Sequence, residues 1–186
     1  MPTSAFYPAV GYERLGTLSP QRPVTKVRRV RQASFRWRSP ERALHVVDIE
    51  NLAGTAIPTL AMVADVQVRY LARLRFGADD QVVLAASHRG LLNAGLGWPH
   101  ARYRVRSGKD GADLELIDVL EHENVAARFD HVVIGSGDGG FSPAAADLAA
   151  RGLHITVVSL RNSLSPGLAR VAEDVIYLDG NLVVAA

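Results

Sequence analysis

The chain has no cysteine in its 186 residues. Disulfides, thiolate-bound zinc and thiol nucleophiles are therefore excluded, and a reducing compartment fits. No apolar run approaches the roughly 18 residues of a membrane span. The stretch from Met1 to Gly16 lacks a basic-then-apolar leader pattern, so the cytoplasm is the default location and no membrane partner is expected. Acids are scarce at one end only. Residues 1–42 hold nine arginine and lysine residues against Glu13 and Glu41, whereas the chain as a whole has a net charge of +2. A basic arm thus precedes a mildly acidic body, and basic blocks of this kind most often meet nucleic acid.

What remains is enough for one ordinary domain, with 48% hydrophobic residues for a core. Residues 1–42 read as a largely irregular arm with five prolines, in which Val24 to Trp37 could add a short strand. Phe35 and Trp37 alternate with Arg31, Arg36 and Arg38, as in proteins that stack and neutralise single-stranded nucleic acid. The structural alternative is a solvated tail whose aromatics dock on the body. The body, 43–186, alternates strand and helix. Strands are expected at 43–48, 81–86, 101–105 (near an edge), 131–134, 153–159 and 175–178. Helices are expected at 58–76, 112–125, 142–151 and 166–173, with a short helix or loop over 87–96 and a loop over 49–55. This pattern predicts an α/β/α sandwich around a mostly parallel sheet.

The run His131-Val132-Val133-Ile134 ends in Gly135-Ser136-Gly137-Asp138-Gly139-Gly140-Phe141, and Ser142-Pro143 opens the next helix as its N-cap and first turn. In open α/β sheets ligands bind beyond the carboxyl ends of the strands, at the switch point. Asp48 ends the first strand, Asp138 follows the fourth, and Asp113 lies in the first turn of the intervening helix. If the first and fourth strands are neighbours, the three acids share one cleft. At about 4 Å each pair would repel by roughly 4 kcal/mol at an effective dielectric near 20. A divalent cation with oxygen ligands removes that cost, activates water and clamps a phosphoryl oxygen. Mg2+-assisted phosphodiester hydrolysis is the chemistry this pattern suggests. Asn51 would orient water or phosphate. Lys109, Ser136, Arg36 and Arg38 are candidate substrate contacts.

Each residue also has a plainer explanation. Asp48 could cap the following loop, Asp113 could serve the helix dipole, and Asp138 and Asn51 could be turn formers. Lys109 could simply be solvated. Asp118 is turned about 140° from Asp113 on the same helix and reads as structural. His88 follows a strand, where a lone histidine is usually only tolerated, and Trp98 beside Pro99 reads as packing. The glycine turn also satisfies G-x-G-x-x-G, a dinucleotide-binding pattern. It follows the fourth strand rather than the first, lacks an acid about 20 residues on, and carries an acid that would repel pyrophosphate.

Three stretches together resemble the NYN-domain family, the LabA-like branch of the PIN-like nucleases. They are His45-Val46-Val47-Asp48-Ile49-Glu50-Asn51-Leu52, Lys109-Asp110-Gly111-Ala112-Asp113, and Ile134 to Pro143. Ser163, Leu164 to Leu168, Ala172, Asp174 and Leu178 fit the family's closing helix and strand, so the resemblance runs from about 44 to 179. It implies a PIN-like fold and a ribonuclease using Mg2+ or Mn2+. Asp48, Asp113 and Asp138 would be metal ligands, and Asn51 their catalytic companion. RNA, single-stranded in view of Phe35 and Trp37, is the expected partner, and the resemblance leaves room for a homodimer. One departure is Gly140, where the family often has a second acid; it raises the alternative of an RNA-binding adaptor with weakened catalysis. A nucleotide-binding oxidoreductase is the third, least supported reading.

Overall fold

Strands covered on both faces read as continuous β-branched apolar runs, because neither side of the pleat meets water. The computed structural model describes residues 42–179. Arg36, Arg38 and the strand expected within Val24–Trp37 lie outside them. Six strands form one all-parallel sheet: β1 (Ala43–Asp48), β2 (Gln81–Ala86), β3 (Arg102–Val105), β4 (His131–Gly135), β5 (His154–Ser159) and β6 (Asp174–Tyr177). Their order is β3-β2-β1-β4-β5-β6, so β1 and β4 are neighbours and the switch point falls between them, as expected.

Helices cover both faces. α1 (Ile49–Ala53), α2 (Leu60–Leu71) and α3 (Leu91–Gly97) bury Leu52, Val66, Tyr70 and Ala94 against Val47, Leu84 and Val133. On the other face α4 (Gly111–His122), α5 (Ser142–Ala150) and α6 (Pro166–Val171) bury Leu116, Leu148 and Leu168 against Leu44, Val46, Ile134 and Ile155. The α/β/α sandwich is thus realised.

Several boundaries differ from expectation. Residues 49–53 are a helix rather than a loop, because the Asp48 carboxylate caps it through the amides of Glu50 and Asn51. α2 starts after Thr59, whose hydroxyl accepts from the Met62 amide, rather than at Pro58, and it stops at Leu71. Phe76 lies beyond it and stacks on His45 at 4.3 Å. A single 3-10 turn, Gly139–Phe141, precedes α5, so Ser142 is the first helical residue and not the cap.

Candidate active site

Side chains alternate across a strand. Leu44 and Val46 point towards α4–α6, and Asp48 follows them on the same side, at the carboxyl end of β1. It is 4% exposed. Its Oδ1 accepts from the Glu50 and Asn51 amides, both at 3.1 Å, and the Ser136 hydroxyl donates to its Oδ2 at 3.5 Å. Asp113 comes from the first turn of α4. That turn approaches closely because residue 111 is glycine: a Cβ there would lie 2.6 Å from the Arg106 carbonyl oxygen. Oδ1 of Asp113 is buried without a hydrogen-bond partner.

The Asp48 and Asp113 carboxyls lie within hydrogen-bonding reach of each other. Burial, then the proximity of Asp113, pushes Asp48 up to about 8. Asp113 is also raised, chiefly by burial, with Asp138, Asp110 and Glu50 adding repulsion while the contact with Asp48 works the other way. Burial and mutual proximity therefore favour a protonated carboxyl in this pair over two carboxylates side by side.

The central turn brings the third acid. Asn51 Oδ1 accepts from the Gly137 amide at 3.0 Å and so ties α1 to the turn. Only glycine fits at 137, where a Cβ would meet the Ser163 carbonyl at 2.3 Å and the Ser159 hydroxyl at 2.5 Å. Asp138 is exposed; its amide donates to Ser136 Oγ at 3.2 Å, and its Oδ1 accepts from the Gly140 amide at 2.6 Å. Three amides of the glycine turn are thus engaged within the protein. None of the three is free to cradle a pyrophosphate, which agrees with reading this glycine pattern as something other than a dinucleotide site.

A cleft of about 400 Å3 opens over this region, lined among others by Asp48, Glu50, Asn51, Arg106, Asp110 and Asp113. The sequence-predicted residues divide accordingly. Asp48, Asn51 and Asp113 line the cleft together, and Asp138 acts on Asp113 from the turn. Ser136 is fully buried, and its hydroxyl sits between Asp48 and the Asp138 amide, a place that orients rather than contacts a ligand. Lys109 is exposed outside the lining. His88 is occupied with the Ser107 hydroxyl at 2.8 Å, Asp118 pairs with His122 at 3.0 Å, and Trp98 packs on Tyr70.

Three charged lining residues, Asp110, Glu50 and Arg106, were not among the predicted site residues. Glu50 Oε1 accepts from the Ser87 amide at 2.7 Å, which ties the end of β1 to the end of β2 and adds negative charge. Its adjacency to Asp48 was the available signal, but its direction depends on α1. Arg106 brings a cation to the acidic cleft, and only its place at period two after Arg102 and Arg104 hinted at this.

Fold and site together define an open α/β protein with an acidic cleft at its switch point. Residues 69–179, more than half of the chain, match the NYN domain. The chain belongs to the NYN domain family, whose members fall in the PIN-like nuclease superfamily. The match includes Asp113 and Asp138 and begins after Asp48 and Asn51. No curated protein matches the chain. Among solved structures, a protein of unknown function from Vibrio parahaemolyticus is similar at 15% identity, over 77% of this chain and 97% of that one, with a TM-score of 0.53. An FMN-dependent cysteine decarboxylase from thioviridamide biosynthesis, at 11% identity over 70% and 82% of the two chains, reaches a TM-score of only 0.33. At these identities the first shows the shared fold, and the second carries no argument.

Proposed function

We propose that this protein is a metal-dependent ribonuclease, with Asp48, Asp113 and Asp138 as its acidic centre. The observation that carries the reading is the buried Asp48–Asp113 pair inside an NYN domain: the charged groups that act on it are acids, and one of its oxygens has no partner. Two such carboxyls fit a hard divalent cation, Mg2+ or Mn2+, which takes few carboxylates and keeps several waters. Among the described residues no three acidic or histidine side chains converge closely enough to enclose an ion. Direct ligation would then fall to Asp48 and Asp113, with water completing the shell. When bound, such an ion supplies Lewis-acid stabilisation of a phosphodiester and lowers the pKa of water.

The chain's own residues do the rest. Ser136 and the α1 amides fix the Asp48 carboxyl. Asn51 holds the turn that carries Asp138 and lines the cleft from α1. Asp138 lies on the exposed side, where a substrate phosphate and its attacking water would arrive. RNA, rather than a dinucleotide, is the substrate class consistent with the engaged turn amides, and the basic segment before residue 42 would add salt-dependent affinity.

Gly140 favours a second reading, an RNA-binding adaptor without turnover. Labelled single-stranded RNA incubated with Mn2+ or EDTA, beside Asp138→Asn, separates them. Cleavage that needs both the metal and Asp138 supports the nuclease. Binding with no metal-dependent cleavage rejects it for the adaptor and makes Gly140→Asp the next protein to assay.

A further inference from the structure

Arg102 and Arg104 of the edge strand β3, with Arg106 just beyond its end, form a row that the proposed chemistry has not used. Arg102, Arg104 and Arg106 alternate with Tyr103 and Val105, and Tyr103 turns to the opposite face to donate to the Trp98 carbonyl at 2.6 Å. The three arginines therefore share the face covered by α4, spaced about 6.6 Å apart along the strand. Two glutamates of the α4 region hold them. Glu123 binds Arg102 at 2.7 Å and Arg104 at 2.5 Å, while Glu115 lies 3.8 Å from Arg104 and 4.0 Å from Arg106. Arg128 joins at the far end, 3.9 Å from Glu123.

Two features make this more than a surface ion-pair network. Within the network four arginines meet two glutamates, and only the Arg106 end also shares a lining with further acids, those of the cleft. The acids are also the more buried partners: the glutamate side chains are 19% and 23% exposed, whereas the arginines range from 33% to 55%. The carboxylates anchor the stems and the guanidinium heads stay at the surface. Isolated exposed pairs contribute little stability, and although a network on partly buried glutamates contributes more, stability alone does not explain the row. Its position does have a consequence. Arg106, the most exposed and least tightly paired of the four, also lines the acidic cleft. From there the row follows α4 for about 15 Å towards Glu123.

We propose that this arginine row is a phosphate-binding rail along which a single-stranded polynucleotide leaves the cleft. The proposal rests on the nuclease reading for the polarity of the path, and on the arginines alone for binding. Guanidinium groups suit phosphate because they present several donors in a fixed plane. A row without base-reading residues would bind irrespective of sequence. Charges on an edge strand also block edge-to-edge pairing, and that is the rival explanation.

The test is anisotropy of a labelled single-stranded oligoribonucleotide titrated with the full chain in EDTA across a salt series. Arg102→Gln with Arg106→Gln should lower the slope of log affinity against log salt by about 1.4, two phosphates at about 0.7 each. Arg102→Lys with Arg106→Lys should restore it. Arg151→Gln, at the residue that caps the end of α5, serves as the control. An unchanged slope, with or without self-association of the Gln variant, overturns the rail. So does an equal loss from Arg151→Gln. The cleavage assay keeps the two readings apart: wild type that cuts RNA with an unchanged variant slope retains the nuclease and rejects the rail, and a reduced slope with no cutting does the reverse.

Discussion

At the amino-terminal ends of the strands, ionisable groups meet complementary partners. His45 lies between the Tyr70 hydroxyl at 3.1 Å and Asp80 at 3.6 Å, with Phe76 stacked on its ring. Asp80 in turn accepts from the amides of Ala43 at 2.8 Å and Gly77 at 2.7 Å. His131 bonds the Thr156 hydroxyl at 2.9 Å, and His154 sits between Glu173 and Asp174. At the carboxyl ends, Asp48 and Asp113 face each other, with Glu50, Asp110 and Asp138 adding charge of the same sign. The first arrangement supplies most of its groups with partners of opposite sign within the chain, although His45 Nε2 has no hydrogen bond and Asp80 stands 3.6 Å from it. The second gathers charge of one sign on the Asp48–Asp113 pair, with Arg106 as the cation that lines the cleft. Both ends contain buried titratable groups, so burial alone does not mark a site; the sign of the neighbours does.

The largest expected effect breaks the acidic end. Asp113→Asn should lower Mn2+-dependent RNA cleavage by at least about a hundredfold, measured as initial rate at saturating metal. Retained cleavage would remove Asp113 from the centre. At the amino-terminal end, Asp80→Asn should leave the cleavage rate of folded protein unchanged. It should destabilise by about 1–3 kcal/mol, because one amide loses its carboxylate acceptor. That corresponds to a fall in Tm of roughly 3–10 °C. Metal sharpens the comparison. Mn2+ at about 100 times its Kd should stabilise wild type by about 2.7 kcal/mol, stabilise Asp80→Asn equally, and leave Asp48→Asn and Asp113→Asn unmoved in calorimetry.

The ends should also respond to pH with opposite signs. Asp48, raised to about 8, contributes stability that is present below about pH 4 and is lost as pH rises towards 8 in metal-free protein. Asp48→Asn should therefore raise Tm at pH 8 and change it little at pH 4, since the amide still caps α1. His45, lowered by burial despite Asp80, and His131, held at about 3 mainly by burial, work in the other direction. Their contribution is present above about 6.5 and is lost as pH falls. A Tm profile of Asp48→Asn that keeps the wild-type alkaline slope would contradict the assignment.

The comparison also explains what the sequence could disclose. Most strands were legible because their runs are apolar, β-branched and bounded by turns, and β3 was legible by its alternation; the β1–β4 adjacency was a condition of the reading that the strand order then met. That Asp48 and Asp113 meet at one cleft could be anticipated from a strand end and a helix start, whereas Asp138 stays in the turn outside the cleft lining. α1 was not legible, because residues 49–53 are mixed in character and their cap is Asp48 itself, one residue serving as strand end, helix cap and candidate ligand. With α1 unread, the direction of Glu50 could not be known. Arg106 depended on the close approach at Gly111, a tertiary contact without a local signature. The early end of α2 is of the same kind: Phe76 leaves the helical pattern to stack on His45.

The smallest effect tests whether the amino-terminal end is held by packing or by charge. His154 is one-third exposed between two carboxylates, and its ring meets that of His131 edge-on at 4.9 Å. Exposed pairs contribute about 0–1 kcal/mol, so His154→Gln should shift Tm by no more than about 4 °C. Its informative readout is the titration of His131 by NMR. Burial is the larger cause of the low His131 value and repulsion from His154 the second. Removing His154 should therefore raise His131 from about 3 while leaving it below the usual histidine range. Full return to that range would mean that repulsion between the two rings dominates. The amino-terminal end would then share, in miniature, the like-charge tension of the acidic cleft.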